Sequence, residues 1–219
     1  MKNCTVPFRL YVIALLLVTA GSFAQLTQLR PDEINIVAGK AATVPLRVLL
    51  TTSESDTAIL RAVSVDVTPN DPNLQLLADR MLATVNDVQS RGVGIAAPQI
   101  GINRNVVWVQ RYDKPGQPFE LFINPKINWY SEILRKGNEG CLSIPDLEGE
   151  VYRSLVVRLT YYDRAGQYHD ETIEGFTAVI LQHECDHLMG ILFPDRLELQ
   201  QQQQFRTVDT VHPVFYMID

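Results

Sequence analysis

Cysteine is scarce in this chain: 219 residues hold three. That rules out the disulfide-dense scaffold of small secreted domains. Basic charge is not in excess either. A net charge of −6 argues against a nucleic-acid-binding surface, which clusters Lys and Arg on one face. Long apolar runs are missing too. The stretch "LYVIALLLVTA", Leu10–Ala20, spans 11 residues, well short of the roughly 20 that cross a bilayer. There is no internal repeat. What remains is an ordinary globular composition, 46% apolar and 20% charged, with enough chain for one domain and its core.

The N-terminus stands apart from the rest. Lys2 and Arg9 flank the start of that apolar run with no acid beside them, and Ser22 and Ala24 sit where a small-residue cleavage site needs them. This layout predicts a secretory signal peptide over residues 1–24. The expectation is an exported protein, periplasmic or secreted, with no stable membrane span once the signal is removed. A cytoplasmic or membrane-anchored protein is the alternative. Cleavage removes Cys4 and leaves Cys141 and Cys185, which an oxidising compartment would allow to pair.

Periodicity sets out the elements. Asn70 and Asp71 as caps, Pro72 in the first turn, and Leu74, Leu77, Met81, Leu82 and Val85 at helical spacing predict a helix. "GVGIAAPQIG" breaks it. "TVPLRVLL" and "AILRAVSVDV" read as β-rich runs, and "NVVWVQRY" and "PFELFINPKINWY" as strands. "SLVVRLTYYDRAGQYHDETIEGF" reads as two strands joined at a turn with Gly166. "TAVILQHECDHLMG" reads as a helix that Gly190 ends. Residues 25–42 are weakly patterned. The glutamines at 200–204 read as a solvated helix end, and the tail "VHPVFYMID" is apolar enough to pack back. The resulting class is α+β, with mixed or antiparallel strands packed around a C-terminal helix bearing H-E-x-x-H.

That helix carries the chemistry. His183 and His187, at i and i+4, project from one face about a turn apart, the spacing two imidazoles need to bind one metal. Glu184 lies ~100° around the helix from His183, within reach of a water at the metal without being a ligand. Buried structural histidines are the competing reading. Two ligands leave a zinc or iron site incomplete. A metzincin would place a third His where Phe193 stands. A thermolysin-like site needs a Glu on a second helix, and the only Glu after His187 is Glu198, too close to the first helix. Cys141, in "NEGCLSIP", is the better third ligand: Gly140 permits close backbone approach, and a thiolate with two imidazoles leaves one position open. Such a set suits Zn(II) or Fe(II), and spacing does not choose between them. Cys185 falls on the opposite side of the helix from His183 and reads as a packed thiol.

"GVGIAAPQIG", "EGCLS" and "QHECDHLMG" resemble, in order, the three motifs of peptide deformylases: G-x-G-[LI]-A-A-x-Q, E-G-C-[LIV]-S and Q-H-E-x-D-H-[LI]-x-G. The similarity runs from about Thr43 to about Gln200 and includes "FINP" and "LFPDR". It implies a peptide deformylase-like fold and a metal-dependent hydrolase that removes the formyl group from N-terminal formyl-methionine, releasing formate. It also implies one divalent ion, Fe(II) or Zn(II), on Cys141, His183 and His187. Glu184 would take a proton from the attacking water and give it to the departing amine. Gln99 and the backbone N–H of Leu142 would stabilise the oxyanion. Val93, Gly94 and Gly140 match positions that pair with the substrate backbone, and Phe176, Val179 and Ile180 those that line the methionine pocket. Asp186 and Arg153 match an ion pair behind the ligands.

The domain layout that follows is a signal peptide over 1–24, an N-terminal extension over 25–42, a catalytic domain over 43–200 and a tail over 201–219. The expected partner is an N-formylmethionyl peptide, with no nucleic acid. Two departures qualify the likeness. Glu148 stands where many members carry an Arg that positions the peptide. The last expected helix is short and glutamine-rich rather than basic, which speaks against ribosome association. The rival readings are an exported metallopeptidase and a non-catalytic formyl-peptide or metal binder.

Overall fold

Leu74, Leu77, Ala78, Met81 and Val85 are all buried on one side of helix α3 (Leu74–Val85), where the 3.6-residue period places them. The computed structural model that shows this describes residues 27–89, 91–209 and 214–218. Residues 1–24, read as a signal peptide, and His212 lie outside the described residues. Two helices precede α3, namely α1 (Pro31–Ala38) and α2 (Glu54–Leu60). After it come strands β1 (Gly94–Ala96), β2 (Val106–Gln110), β3 (Phe119–Tyr130), β4 (Ile133–Cys141), β5 (Ile144–Ser154), β6 (Val156–Tyr162) and β7 (Tyr168–Glu174). Helices α4 (Gly175–Leu188) and α5 (Phe193–Gln200) follow, then β8 (Gln204–Asp209) and β9 (Val214–Ile218).

The strands form two sheets, ordered β1-β2-β3-β6-β7 and β5-β4-β9-β8. Every pairing between named strands is antiparallel. Helix α4 packs against β1, β2 and β5 to β7. Its Ala178, Ile180, Leu181 and Leu188 join Val107, Val109, Phe122, Val157 and Leu159 in one buried cluster. Each such aliphatic side chain is worth about 2 kcal/mol on leaving water. A second cluster lies under α3, where Met81 and Leu77 meet Ile95, Trp108 and Ile123. The α+β class therefore holds, and α4 lies against the strands as expected.

It does not end the chain, however. Helix α5 and the β8–β9 hairpin follow it, because the apolar tail finds the open edge of β4: Tyr216, Phe215 and Val214 pair with Ile133, Leu134 and Arg135. Another difference falls at "AILRAVSVDV". Ser53, whose side chain accepts from Asp56 N, caps a helix that takes in Ala58–Leu60, and a good N-cap outweighs a short β-rich run. Val65 and Val67 make only isolated bridges. In "TVPLRVLL", Leu46 and Leu49 donate to Thr84 Oγ1 and Gln99 O and no strand forms. The weakly patterned segment 25–42 contains α1, whose buried Glu33 pairs with buried Arg104 at 2.8 Å.

Gly190 ends α4 with φ +69, and a Cβ there would overlap the Arg61 carbonyl. Both the left-handed backbone and the clash oppose any side chain. Gly190→Ala should therefore destabilise the fold by about 3 kcal/mol. In urea unfolding this would appear as a lower midpoint at unchanged slope. A shift below about 1 kcal/mol would mean the segment yields easily.

Candidate metal centre

Because α4 is regular through its second half, His183 and His187 share a face, with ring centroids 5.1 Å apart. Cys141 comes from elsewhere. It ends β4 at a tight turn into β5, where Cys141 pairs with Ile144, and the two-strand hairpin brings it over α4. Its Sγ lies 3.2 Å from His187 Nε2. One donor atom from each of Cys141, His183 and His187 falls within 4.8 Å of the others. Cys141 and Cys185 are both free, so the disulfide that an oxidising compartment would allow is not formed. Burial pushes the Cys185 thiol far up from its usual value, which keeps it protonated and inert.

The donor set fits a divalent ion. His183 donates through Nδ1 to Glu139 Oε2 at 2.9 Å, which leaves Nε2 to face the cluster. Burial, and then the neighbouring His183, hold His187 well below the ordinary imidazole value, so its ring is neutral and offers a lone pair. Glu139 is buried too. Burial alone would raise its carboxyl, but His183 and Arg153 outweigh that and hold it at about 2. Arg153 grips Glu139 at 2.8 and 2.9 Å and Asp186 at 2.5 Å. The Arg153–Asp186 pair thus lies directly behind the Cys141–His183–His187 cluster.

Glu184 points elsewhere. It is buried, its Oε2 finds no partner among the described residues, and burial pushes its carboxyl up to about 7. A carboxyl poised near neutrality in a cleft is what general acid–base chemistry needs. Gln99 is buried as well. Its Oε1 accepts from Ala96 N at 2.9 Å, which turns the amide so that Nε2 lies 3.6 Å from Cys141 Sγ and 3.3 Å from Ser143 Oγ.

A cavity of about 390 Å³ opens beside these groups, a size that takes a small ligand. Val93 and Gly94 form one wall, Gly140, Cys141 and Leu142 the facing one, and Phe176, Val179 and Ile180 of α4 the side. Gln99, His183 and Glu184 line it as well. The expected site residues thus converge, with His187 behind and Arg153 and Asp186 behind that. At Gly94 a Cβ would collide with the Glu184 carboxylate and Ile180, so only glycine leaves room there. Glu148 is exposed and accepts from Asn138 Nδ2 at 2.7 Å.

Two participants carried no role at the sequence level. Glu139 is one, although its place two residues before Cys141 on a strand puts both on one face. Arg196 is the other, bound to Asp186 through Nε at 3.0 Å. Nothing local in "PDRLE" signals that contact. His169 is half-buried beside Tyr161 and paired with Asp163 at 2.8 Å.

Residues 49–203 match the family model described as polypeptide deformylase. The peptide deformylase 2 of Ralstonia nicotianae is 42% identical over 149 residues, covering 65% of this chain and 83% of the relative. That of a Caulobacter species is 40% identical over 152 residues, covering 69% and 87%. Among solved structures, the Met-Ala-Ser-bound class I type b peptide deformylase of Acinetobacter baumannii superposes with a TM-score of 0.62 at 37% identity, over 70% of this chain and 99% of that one. The Thermotoga maritima peptide deformylase gives 0.61 at 34% identity, over 69% and 96%.

These relatives correct the expectation of export. They are bacterial peptide deformylases, and they bring no sign of an export signal. The N-terminal segment on which the expectation rested lies before the matched residues 49–203. Among the described residues no helix is long and apolar enough to cross a membrane.

Proposed function

Since the chain belongs to the polypeptide deformylase family and is thereby a metal-dependent hydrolase that removes N-formyl groups from peptides, we propose that Cys141, His183 and His187 hold its ion and that Glu184 moves the protons. The ion is Fe(II) or Zn(II), both compatible with one thiolate and two imidazoles. When bound, it supplies Lewis-acid polarisation and a more acidic water. We take residues 43–200 as the catalytic unit, with 25–42 as its extension and 201–219 as its tail.

Each step then falls to a named side chain. Glu184 accepts a proton from the attacking water as the new C–O bond forms at the formyl carbon. It returns that proton to the nitrogen as the C–N bond breaks, giving formate and a free amine. The Gln99 amide and the backbone N–H of Leu142 donate to the oxygen that gains charge. Val93, Gly94 and Gly140 hold the peptide backbone between the two walls. Phe176, Val179 and Ile180 take the methionine side chain along α4.

The observation that carries this reading is the three donor atoms within 4.8 Å beside a buried carboxylate oxygen that has no partner among the described residues. The full chain, supplied with Fe(II), Co(II), Ni(II) or Zn(II), should release formate from formyl-Met-Ala-Ser. No release with any of them would sink the reading, and cleavage of unblocked peptides instead would favour a metallopeptidase. Within the same scheme, Gln99→Ala should lower kcat by about 10²-fold with KM little changed. A rise in KM at constant kcat would place Gln99 in ground-state binding instead.

A further inference from the structure

His183 stands at the inner end of a line of charges that reaches the surface at Arg196. From the His183 ring the line runs to Glu139 at 2.9 Å and then to Arg153 at 2.8 and 2.9 Å. It continues from Arg153 to Asp186 at 2.5 Å, and Arg196 grips Asp186 from the far side through Nε at 3.0 Å and through Nη2. It ties together β4, α4, β5 and α5. Resting on the metal-site reading above, we propose that Arg196 is a positioning residue for the metal centre. By holding Asp186 it leaves Arg153 bidentate on Glu139, and so fixes the His183 ring.

The charge balance makes the argument. Glu139, Arg153 and Asp186 are buried, while the Arg196 side chain is 37% exposed. With Arg196 in place, two guanidiniums serve two carboxylates. Without it, Arg153 alone faces both in a setting where unpaired charge is costly. The guanidinium, which already gives Nη1 to Asp186 and Nε and Nη2 to Glu139, is then drawn further towards Asp186, and the acceptor that orients His183 is the group whose donors it loses. Asp186 also precedes His187 in the chain, so its displacement reaches a second ligand.

Helix α5 does not depend on Arg196 for its place. Leu192, Phe193 and Leu197 pack with Ile144 and Val151, and Arg61 pairs with Asp195 on the same helix, Nη2 to Oδ1 at 3.0 Å. Among the described residues that second ion pair makes no hydrogen bond to Asp186, Arg153, Glu139 or His183, although Phe193 of the same helix stacks on the His183 ring, so it controls for the seating of α5 itself.

The test uses the full chain loaded with Co(II), following its visible ligand-field bands as excess chelator removes the metal. Arg196→Met should lose Co(II) about tenfold faster than wild type, with shifted bands, as expected for a broken partner behind a ligand. Arg196→Lys should restore part of the difference. Arg61→Met should lose metal at the wild-type rate. A rate for Arg196→Met within about twofold of wild type, or equal acceleration by Arg61→Met, would overturn the proposal. Wild-type protein that takes up no Co(II) would instead defeat the metal-site reading beneath it.

Discussion

Glu184→Gln is expected to lower kcat for formyl-Met-Ala-Ser about 10³- to 10⁴-fold, with bound metal and KM close to wild type. The substitution keeps the shape and polarity of the side chain and removes only its ability to take a proton. Glu184 is not among the clustered donor atoms, so the ion has no reason to leave. Stability should not fall either, because the carboxylate is buried with one oxygen unpartnered among the described residues, a costly state for a charge. Formate release, metal analysis and thermal unfolding on one preparation separate these effects. A Gln variant that keeps more than about a tenth of the activity would remove Glu184 from the proton path.

Arg153→Met should destabilise the protein by about 3–5 kcal/mol, a large share of a domain's total stability. Replacing a whole buried ion pair with apolar groups is often harmless, but here one guanidinium leaves and two carboxylates stay. Glu139 provides an independent measure. Its folded value of about 2 against an ordinary 4.5 corresponds to about 3 kcal/mol at neutral pH, shared between Arg153 and His183. The value is depressed, so this stabilisation is complete above the unfolded value and is lost as pH falls from about 4.5 towards 2. The gap between wild type and Arg153→Met in urea unfolding should therefore narrow from pH 7 to pH 3.5. A gap below about 1 kcal/mol at pH 7, or one that ignores pH, contradicts the account.

Where the reading from sequence worked, short-range geometry was enough. The period of α3 placed Leu74, Leu77, Met81 and Val85 inward, and Asp163 and Gly166 closed the β6–β7 turn. Where it went astray, a stronger partner intervened. A Ser53 cap drew Ala58–Leu60 into a helix, and Arg104, far along the chain, gave Glu33 of α1 its ion pair. The β4–β5 hairpin went unread as strands because "EILRKGNEGC" alternates too weakly to signal a buried face.

The same division runs through the site. Two histidines four apart on a helix must share a face whatever surrounds them, and three motifs in order name a family; the residues alone determined both. That Cys141 meets those histidines, that Glu139 turns one of their rings, and that Arg196 closes the line behind them was decided by packing. Those contacts join residues 10 to 46 positions apart and lying on separate elements, and only burial of β4, β5, α4 and α5 against one another brings their side chains within bonding distance.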